Sequence, residues 1–134
     1  MQTFSLSIFA PERRLTQDEQ VKSLILTTAK GEVEILPGHA DMISRLETGR
    51  FAYVADSKPV VTGVISSGFV SVESGKVKVI AETLELPHEI DQSRARNAQI
   101  KAEKMLSDAS LDEHSFKKYQ LKLQRAILRQ SIGG

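Results

Sequence analysis

Cysteine and tryptophan are both absent from the 134 residues, and without cysteine there can be no disulfide, no thiolate metal site and no cysteine nucleophile. Long apolar runs are missing too. No window approaches the ~18 uninterrupted apolar residues of a membrane span, and "MQTFSLSIFAPERRL" lacks a basic segment followed by a long apolar stretch, so neither a span nor a signal peptide is expected. A soluble cytoplasmic protein is the default expectation. Charge of one sign is also lacking: 18 Lys plus Arg face 17 Asp plus Glu. A formal charge of +1 exerts no global pull toward nucleic acid or anionic lipid, so any charge argument must be local.

Several catalytic signatures are missing as well. There is no G-x-x-x-x-G-K-[ST] loop to cradle a phosphate. "GVISSG" spaces Ser66 and Ser67 wrongly for a G-x-S-x-G nucleophile elbow, which leaves them as strand or turn serines. His39, His88 and His114 have no metal-ligand spacing, so no metal site is expected. The two tyrosines and five phenylalanines fall mostly at core strand positions, leaving no stacking platform for a nucleic-acid module. No convergent nucleophile and base remain for a self-standing enzyme.

Glycine and valine divide the chain. All ten valines lie at or before Val79, and no glycine occurs between Gly75 and Gly133. In the first part apolar and polar residues alternate, as in "TFSLSIF", where Phe4, Leu6 and Ile8 share one face of a half-buried strand. Similar runs are "KSLILTTA", "GEVEIL", "RFAYVA", "PVVTGVI", "GFVSVE" and "KVKVIAE". The stretches between them, "AKG", "LPGHAD", "ADSKP", "SSG" and "ESG", carry turn residues. Closely spaced strands with tight turns predict an antiparallel sandwich or flattened barrel ending near Thr83.

After Pro87 the period becomes helical. Ala95, Ala98, Ala102, Met105 and Leu106 share a narrow, alanine-rich face of a helix running from Asp91 to Leu106. "SDASLDEHS" supplies a turn and the start of a second helix, from about Asp112 to Arg129, whose apolar face is Phe116, Tyr119, Leu123, Ala126 and Ile127. Joined by so short a loop, the helices should form an antiparallel hairpin. The hairpin has little to bury alone and is expected to lean on the sheet domain or a partner and to exchange between positions. The expected class is therefore α+β, with a β-sandwich domain at 1–86 and a helical hairpin domain at 87–134.

Three local features are candidates for function. "GEVEILPGHADMI" leads a strand into a Pro37–Gly38 turn presenting His39 and Asp41, with Glu32 seven residues before the histidine; it is either an ordinary exposed turn or a contact surface. Lys118, Lys122, Arg125 and Arg129 recur along one side of the second helix, as a solvated face or as a stripe awaiting an acidic partner. "PHEIDQSRAR" places Asp91 to cap the first helix. Arg94 and Lys101 share a face there, and closure of the hairpin would gather them with Arg125 and Arg129 around an anion.

The order of these parts, "GEVEILPGHA", then "SSGFVSV", then "IDQSRA" opening a two-helix tail, resembles the epsilon subunits of F-type ATP synthases over essentially the whole chain. Two departures flank the turn: Glu34 stands where the family commonly has Gly, and Asp41 where it has Pro. The resemblance implies a non-catalytic rotor component of a proton-translocating enzyme, peripheral to the cytoplasmic face of a bacterial inner membrane. It implies a sandwich that binds the gamma subunit and sits on the ring of c subunits, with Glu32, Pro37, Gly38 and His39 as contacts. It implies a tail that either lies compactly or extends toward the alpha and beta subunits of the catalytic head. There Lys118, Lys122, Arg125 and Arg129 would meet an acidic segment of beta and impede ATP hydrolysis. "IDQSRA" also fits the [I/L]-D-x-x-R-A pattern of members whose tail binds ATP, implying ATP as a regulatory ligand held by Glu85, Ile90, Asp91, Arg94, Lys101, Arg125 and Arg129. Lys101 replaces a typical arginine, keeping the charge and losing the planar fork.

Overall fold

A computed structural model describes residues 2–132 of the chain. Two compact units divide it, Met1–Leu84 and Glu85–Gly134.

The first unit contains seven strands: β1 (Phe4–Ala10), β2 (Arg13–Thr28), β3 (Gly31–Ile35), β4 (Met42–Leu46), β5 (Gly49–Ala55), β6 (Val61–Glu73) and β7 (Lys76–Glu85). β7 ends one residue inside the second unit. Pairing runs β1–β7–β6–β4–β2–β3, β5 joins β2 to β6, and β1 also pairs with β2. The circuit β1–β2–β5–β6–β7 therefore closes on itself, which leaves few free sheet edges and makes the expected sandwich a flattened barrel. Alternation fills it: Phe4, Leu6, Ile8, Leu24, Leu26, Phe51, Tyr53, Val70, Val72, Val77, Val79 and Ala81 are all buried. Each large side chain withdrawn in this way contributes about 1.5–3 kcal/mol.

β4 (Met42–Leu46) is a strand that the expected alternating runs did not include; it pairs with β6 from Met42↔Val72 to Leu46↔Gly68. Three further differences have local causes. β1 and β7 pair in parallel, Leu6 beside Val77 and Ile8 beside Val79, so the sheet is not wholly antiparallel. β2 begins at Arg13, where "RRLTQDEQ" is too polar to show a strand period but pairs with β1 from Ala10↔Arg13 to Phe4↔Val21. "SSG" lies inside β6 and is not a turn. Ser67 (φ 64°) and Gly68 (φ 142°) bulge the strand, which pairs with β5 before the bulge and with β4 after it. Gly68 is required, because a Cβ there would lie 2.1 Å from the carbonyl oxygen of Ile80.

In the second unit a 3₁₀ turn (Pro87–Glu89) precedes α1 (Gln92–Leu106) and α2 (Glu113–Ile132). The Asp91 carboxylate accepts a 3.1 Å hydrogen bond from the Arg94 backbone N–H, the capping role expected of it. Between the helices, Asp108 accepts from the Ser110 backbone and hydroxyl at 2.9 and 2.7 Å. Those bonds lower the Asp108 carboxyl below its ordinary value. Asp112 is lowered likewise, chiefly by the Ser115 hydroxyl, as suits a carboxylate opening α2. Ala95, Ala102 and Ala126 are buried, whereas Phe116 and Ile127, placed on the expected apolar face of α2, are close to half exposed.

Candidate functional site

The hairpin gathers a cleft of about 520 Å³ lined by Glu85, Glu89, Asp91, Arg94, Ala98, Lys101, Ala102, Tyr119, Lys122, Arg125, Ala126 and Arg129. Arg94 and Lys101 are seven residues apart, about two turns, and so reach the cleft from one face of α1. Lys122, Arg125 and Arg129 reach it from α2 on the same spacing logic. The alanines let the helix backbones approach. Five cations against three carboxylates leave a local excess of two positive charges on a chain whose total is +1.

Glu85 organises this charge. Nη2 of Arg125 donates to its carboxylate at 3.3 Å, and Nε of Arg129 lies 3.1 Å from it. The Glu85 and Arg129 side chains are only 18% and 17% exposed, so the Arg129 pair is shielded from water and worth more than a surface ion pair. Gln92 donates to the Arg129 carbonyl at 3.4 Å, and Gln130 donates to Gln99, so the end of α2 is tied to both the start and the middle of α1. Glu89 accepts from the Leu86 backbone N–H at 2.8 Å. One donor is left over: Nε of Arg125 is buried and meets no acceptor among the described residues, a state that costs about 1–3 kcal/mol. Arg94 and Lys101 make no side-chain hydrogen bond or ion pair among the described residues.

Of the seven residues expected around ATP, six line this cleft: Glu85, Asp91, Arg94, Lys101, Arg125 and Arg129. Ile90 does not; it is buried and closes the 3₁₀ turn. The basic stripe is not a bare solvated face. Arg125 and Arg129 hold Glu85, while the ammonium groups of Lys118 and Lys122 lie 5.7 and 5.3 Å from the centroid of the Tyr119 ring. Tyr119 was placed by periodicity on the core face, yet it also walls the cleft. Its spacing of three from Lys122 was the available signal.

The candidate contacts on the first unit are not gathered in this way. Pro37 and Gly38 form a tight turn closed by a 3.1 Å hydrogen bond from the His39 N–H to the Leu36 carbonyl, with Gly38 at φ 83° as a type II turn requires. The His39 ring approaches the Ala40 carbonyl at 2.7 Å. Glu32 is exposed near the start of β3, and the turn follows the other end of that strand. A groove of about 690 Å³ opens elsewhere on this unit between Phe9, Leu46, Gly68, Phe69 and Ile80, with Arg45 and Glu82 also on its wall. Phe69 and Ile80 are each 53% exposed there. No metal-binding group of His, Asp and Glu occurs among the described residues, and no helix there is long and apolar enough to cross a membrane.

Both units have counterparts in known proteins. Residues 3–87 match the beta-sandwich domain of the ATP synthase delta/epsilon chain, and residues 88–132 match the long alpha-helix domain of the same chain. The ATP synthase epsilon chain of Geotalea daltonii is 37% identical over 121 residues, covering 87% of this chain and 83% of its own. That of Halalkalibacterium halodurans is 34% identical over 134 residues, 100% of this chain and 99% of its own. The fold also matches a chain in the Euglena gracilis mitochondrial ATP synthase OSCP/F1/c-ring structure. There the TM-score is 0.87 and the identity 21%, over 98% of this chain and 81% of that one. With 34–37% identity to epsilon chains on top of a match to both domains, the chain belongs to the ATP synthase epsilon-chain family and is a non-catalytic subunit.

Proposed function

We propose that this subunit works in the central stalk of a proton-translocating F-type ATP synthase and that its helical hairpin is a nucleotide-responsive brake on ATP hydrolysis. The supporting observation is the cleft. Arg94 and Lys101 on α1 and Arg125 and Arg129 on α2 face one space, with a buried Arg125 donor that has no acceptor among the described residues and an excess of positive charge. A nucleoside triphosphate fits that donor set: its phosphates need several convergent cations and charge-assisted N–H donors. No metal or other cofactor is required by this reading.

ATP in the cleft ties α1 to α2 and favours the compact hairpin. In that state Arg125 and Arg129 are engaged and cannot reach an acidic segment of the beta subunit. At low ATP the helices extend toward the alpha and beta subunits, and Lys118, Lys122, Arg125 and Arg129 become available to beta. A tenfold shift between the two forms needs only about 1.4 kcal/mol of differential binding. Glu85 modifies the scheme, because its carboxylate already bridges the two α2 arginines without nucleotide. ATP then works by adding Arg94, Lys101 and the free Arg125 Nε to the closure, and by sharing or displacing Glu85.

The first unit supplies the anchorage in this reading. The half-exposed Phe69 and Ile80 and the groove beside them offer apolar surface to the gamma subunit. Glu32 and the Pro37–Gly38–His39 turn offer a polar contact to the c-subunit ring, which holds the chain peripherally at the cytoplasmic face of a bacterial membrane without insertion. The test is recovery of the assembled complex on tagged chain, followed by hydrolysis assays of that complex with and without the chain. Recovery of gamma, c and the alpha/beta head, with slower hydrolysis when the chain is present, supports the proposal. Recovery of none of them contradicts it.

A further inference from the structure

We infer that Asp41 is a positioning residue: it fastens the Pro37–Gly38–His39 turn to the β6–β7 turn, so that both turns meet the c-subunit ring as one face, with Lys76 as a further contact. The inference rests on the ring contact proposed above for the first turn and adds a second turn to it.

The β6–β7 connection is Ser74 (φ 49°) and Gly75 (φ 78°), both left-handed as a type I′ hairpin turn requires. Such a turn leaves the backbone groups at its tip pointing outward. Here two of them are engaged by other segments. The Asp41 carboxylate accepts a 2.9 Å hydrogen bond from the Ser74 N–H, and the Gly75 carbonyl accepts a 3.0 Å bond from the Ser5 N–H near the start of β1. The hairpin tip is thereby held by two segments distant from it in sequence. Because a carboxylate accepts it, the bond to Asp41 is charge-assisted and the stronger kind.

Asp41 follows His39 by two residues, so the histidine lies within about 8 Å of this fastening point. Met42 then opens β4 opposite Val72 of β6, beside the same hairpin. A chain held on both sides of so short a segment has little slack, and the first turn keeps a fixed place against the second. The surface between them is continuous. Asp41, Ile43, Ser71 and Glu73 line one depression, and Ser71 and Glu73 also line the next, with Ser74 and Lys76. Lys76 is exposed and makes no ion pair among the described residues, which leaves its ammonium free for a carboxylate or carbonyl on the ring.

The test measures binding of the full chain, by biolayer interferometry, to gamma alone and to gamma assembled on the c-subunit ring. The parent chain binds the ring assembly more tightly than gamma alone. Asp41→Ala weakens binding to the ring assembly about tenfold, as loss of one charge-assisted hydrogen bond that preorganises a contact provides. Lys76→Ala weakens it about threefold, as an exposed charge contact provides. Both variants keep the parent affinity for gamma alone, and Asp41→Asn, which retains an acceptor oxygen, keeps most of the ring affinity. An equal loss toward both targets in Asp41→Ala marks the bond as a fold stabiliser only and overturns the inference. Parent-like ring affinity in Asp41→Ala or in Lys76→Ala overturns it too, provided that His39→Ala weakens ring binding. If His39→Ala has no effect, or the parent binds both targets equally, the ring-contact reading itself fails and the two-turn face fails with it.

Discussion

Glu85 and Arg129, 44 residues apart in sequence, form a shielded ion pair at 3.1 Å that Arg125 joins at 3.3 Å. The carboxylate stands between two cations of α2 that would otherwise repel each other, which makes it an internal counterion for the hairpin.

Replacing Glu85 with Gln should therefore loosen the helical unit. Removing the charge leaves two guanidinium groups facing each other, one of them poorly hydrated, at an expected cost of about 1–3 kcal/mol. Urea unfolding followed by far-UV circular dichroism reads this as helix lost at lower urea than in the parent. Coincident curves would mean that the pair adds nothing.

Asp91 caps α1 and lines the cleft, and two substitutions separate those roles. Asp91→Ala should cost about 1 kcal/mol of helix stability, while Asp91→Asn should cost little because asparagine caps equally well. Thermal melts of the two variants provide the comparison. An Asn variant as unstable as the Ala variant would show that the charge matters to folding, and the cap geometry alone does not.

The β6 bulge makes opposite predictions at adjacent residues. Ser67 holds φ 64° and Gly68 has no room for a Cβ. Ser67→Gly should stabilise by up to about 1 kcal/mol by relieving left-handed strain. Gly68→Ala should destabilise on the order of 3 kcal/mol, since β6 and β7 must part. Denaturant midpoints of both variants decide the matter.

Tyr53 carries a pH dependence. Burial first, then the charge and hydrogen bond of Glu19, push its phenol up to about 12 from 10.0. Burial by itself would raise Glu19, but hydrogen bonds from Thr16 and Lys58 and the Lys58 charge outweigh it, and the carboxyl ends below its ordinary 4.5. A raised folded-state value for Tyr53 means that its contribution is complete below about pH 10 and is lost as pH rises toward about 12. For Glu19 the depressed value means a contribution present above about pH 4.5 and lost on acidification through the lower folded value. Tyrosinate absorbance of the parent minus that of Tyr53→Phe should show a late-titrating phenol; ionisation near pH 10 would contradict the buried pair.

The parts legible in the sequence are those set by local chemistry. The Asp91 cap, the alternation of Phe4, Leu6 and Ile8, and the Pro37–Gly38 turn each depend on a few neighbouring residues. The polar start of β2 was hidden because its pairing with β1, and not its own period, makes it a strand. "SSG" read as a turn because a bulge uses the same residues. Arg94, Lys101, Arg125 and Arg129 could be placed on facing sides by helical spacing, and closure of the hairpin was enough to bring them together. The Glu85 bridge spans 40 and 44 residues to its partners. No local pattern announces such a pair; family resemblance pointed to the residue, and the folded unit supplied its role. Tyr119 was legible as apolar, but that a core-face residue also walls a cleft follows only from the packing of α1 against α2.

The central claim is that α1 and α2 together bind a nucleoside triphosphate. Titration calorimetry of the full chain with ATP up to millimolar concentration tests it most directly, alongside Arg94→Ala and Arg125→Ala. The account predicts saturable heat in the parent chain and a loss of affinity of about tenfold or more in each variant, as expected when a charge-assisted hydrogen bond worth about 1.5–3 kcal/mol is removed. No binding heat at millimolar ATP, or variants indistinguishable from the parent, would contradict it.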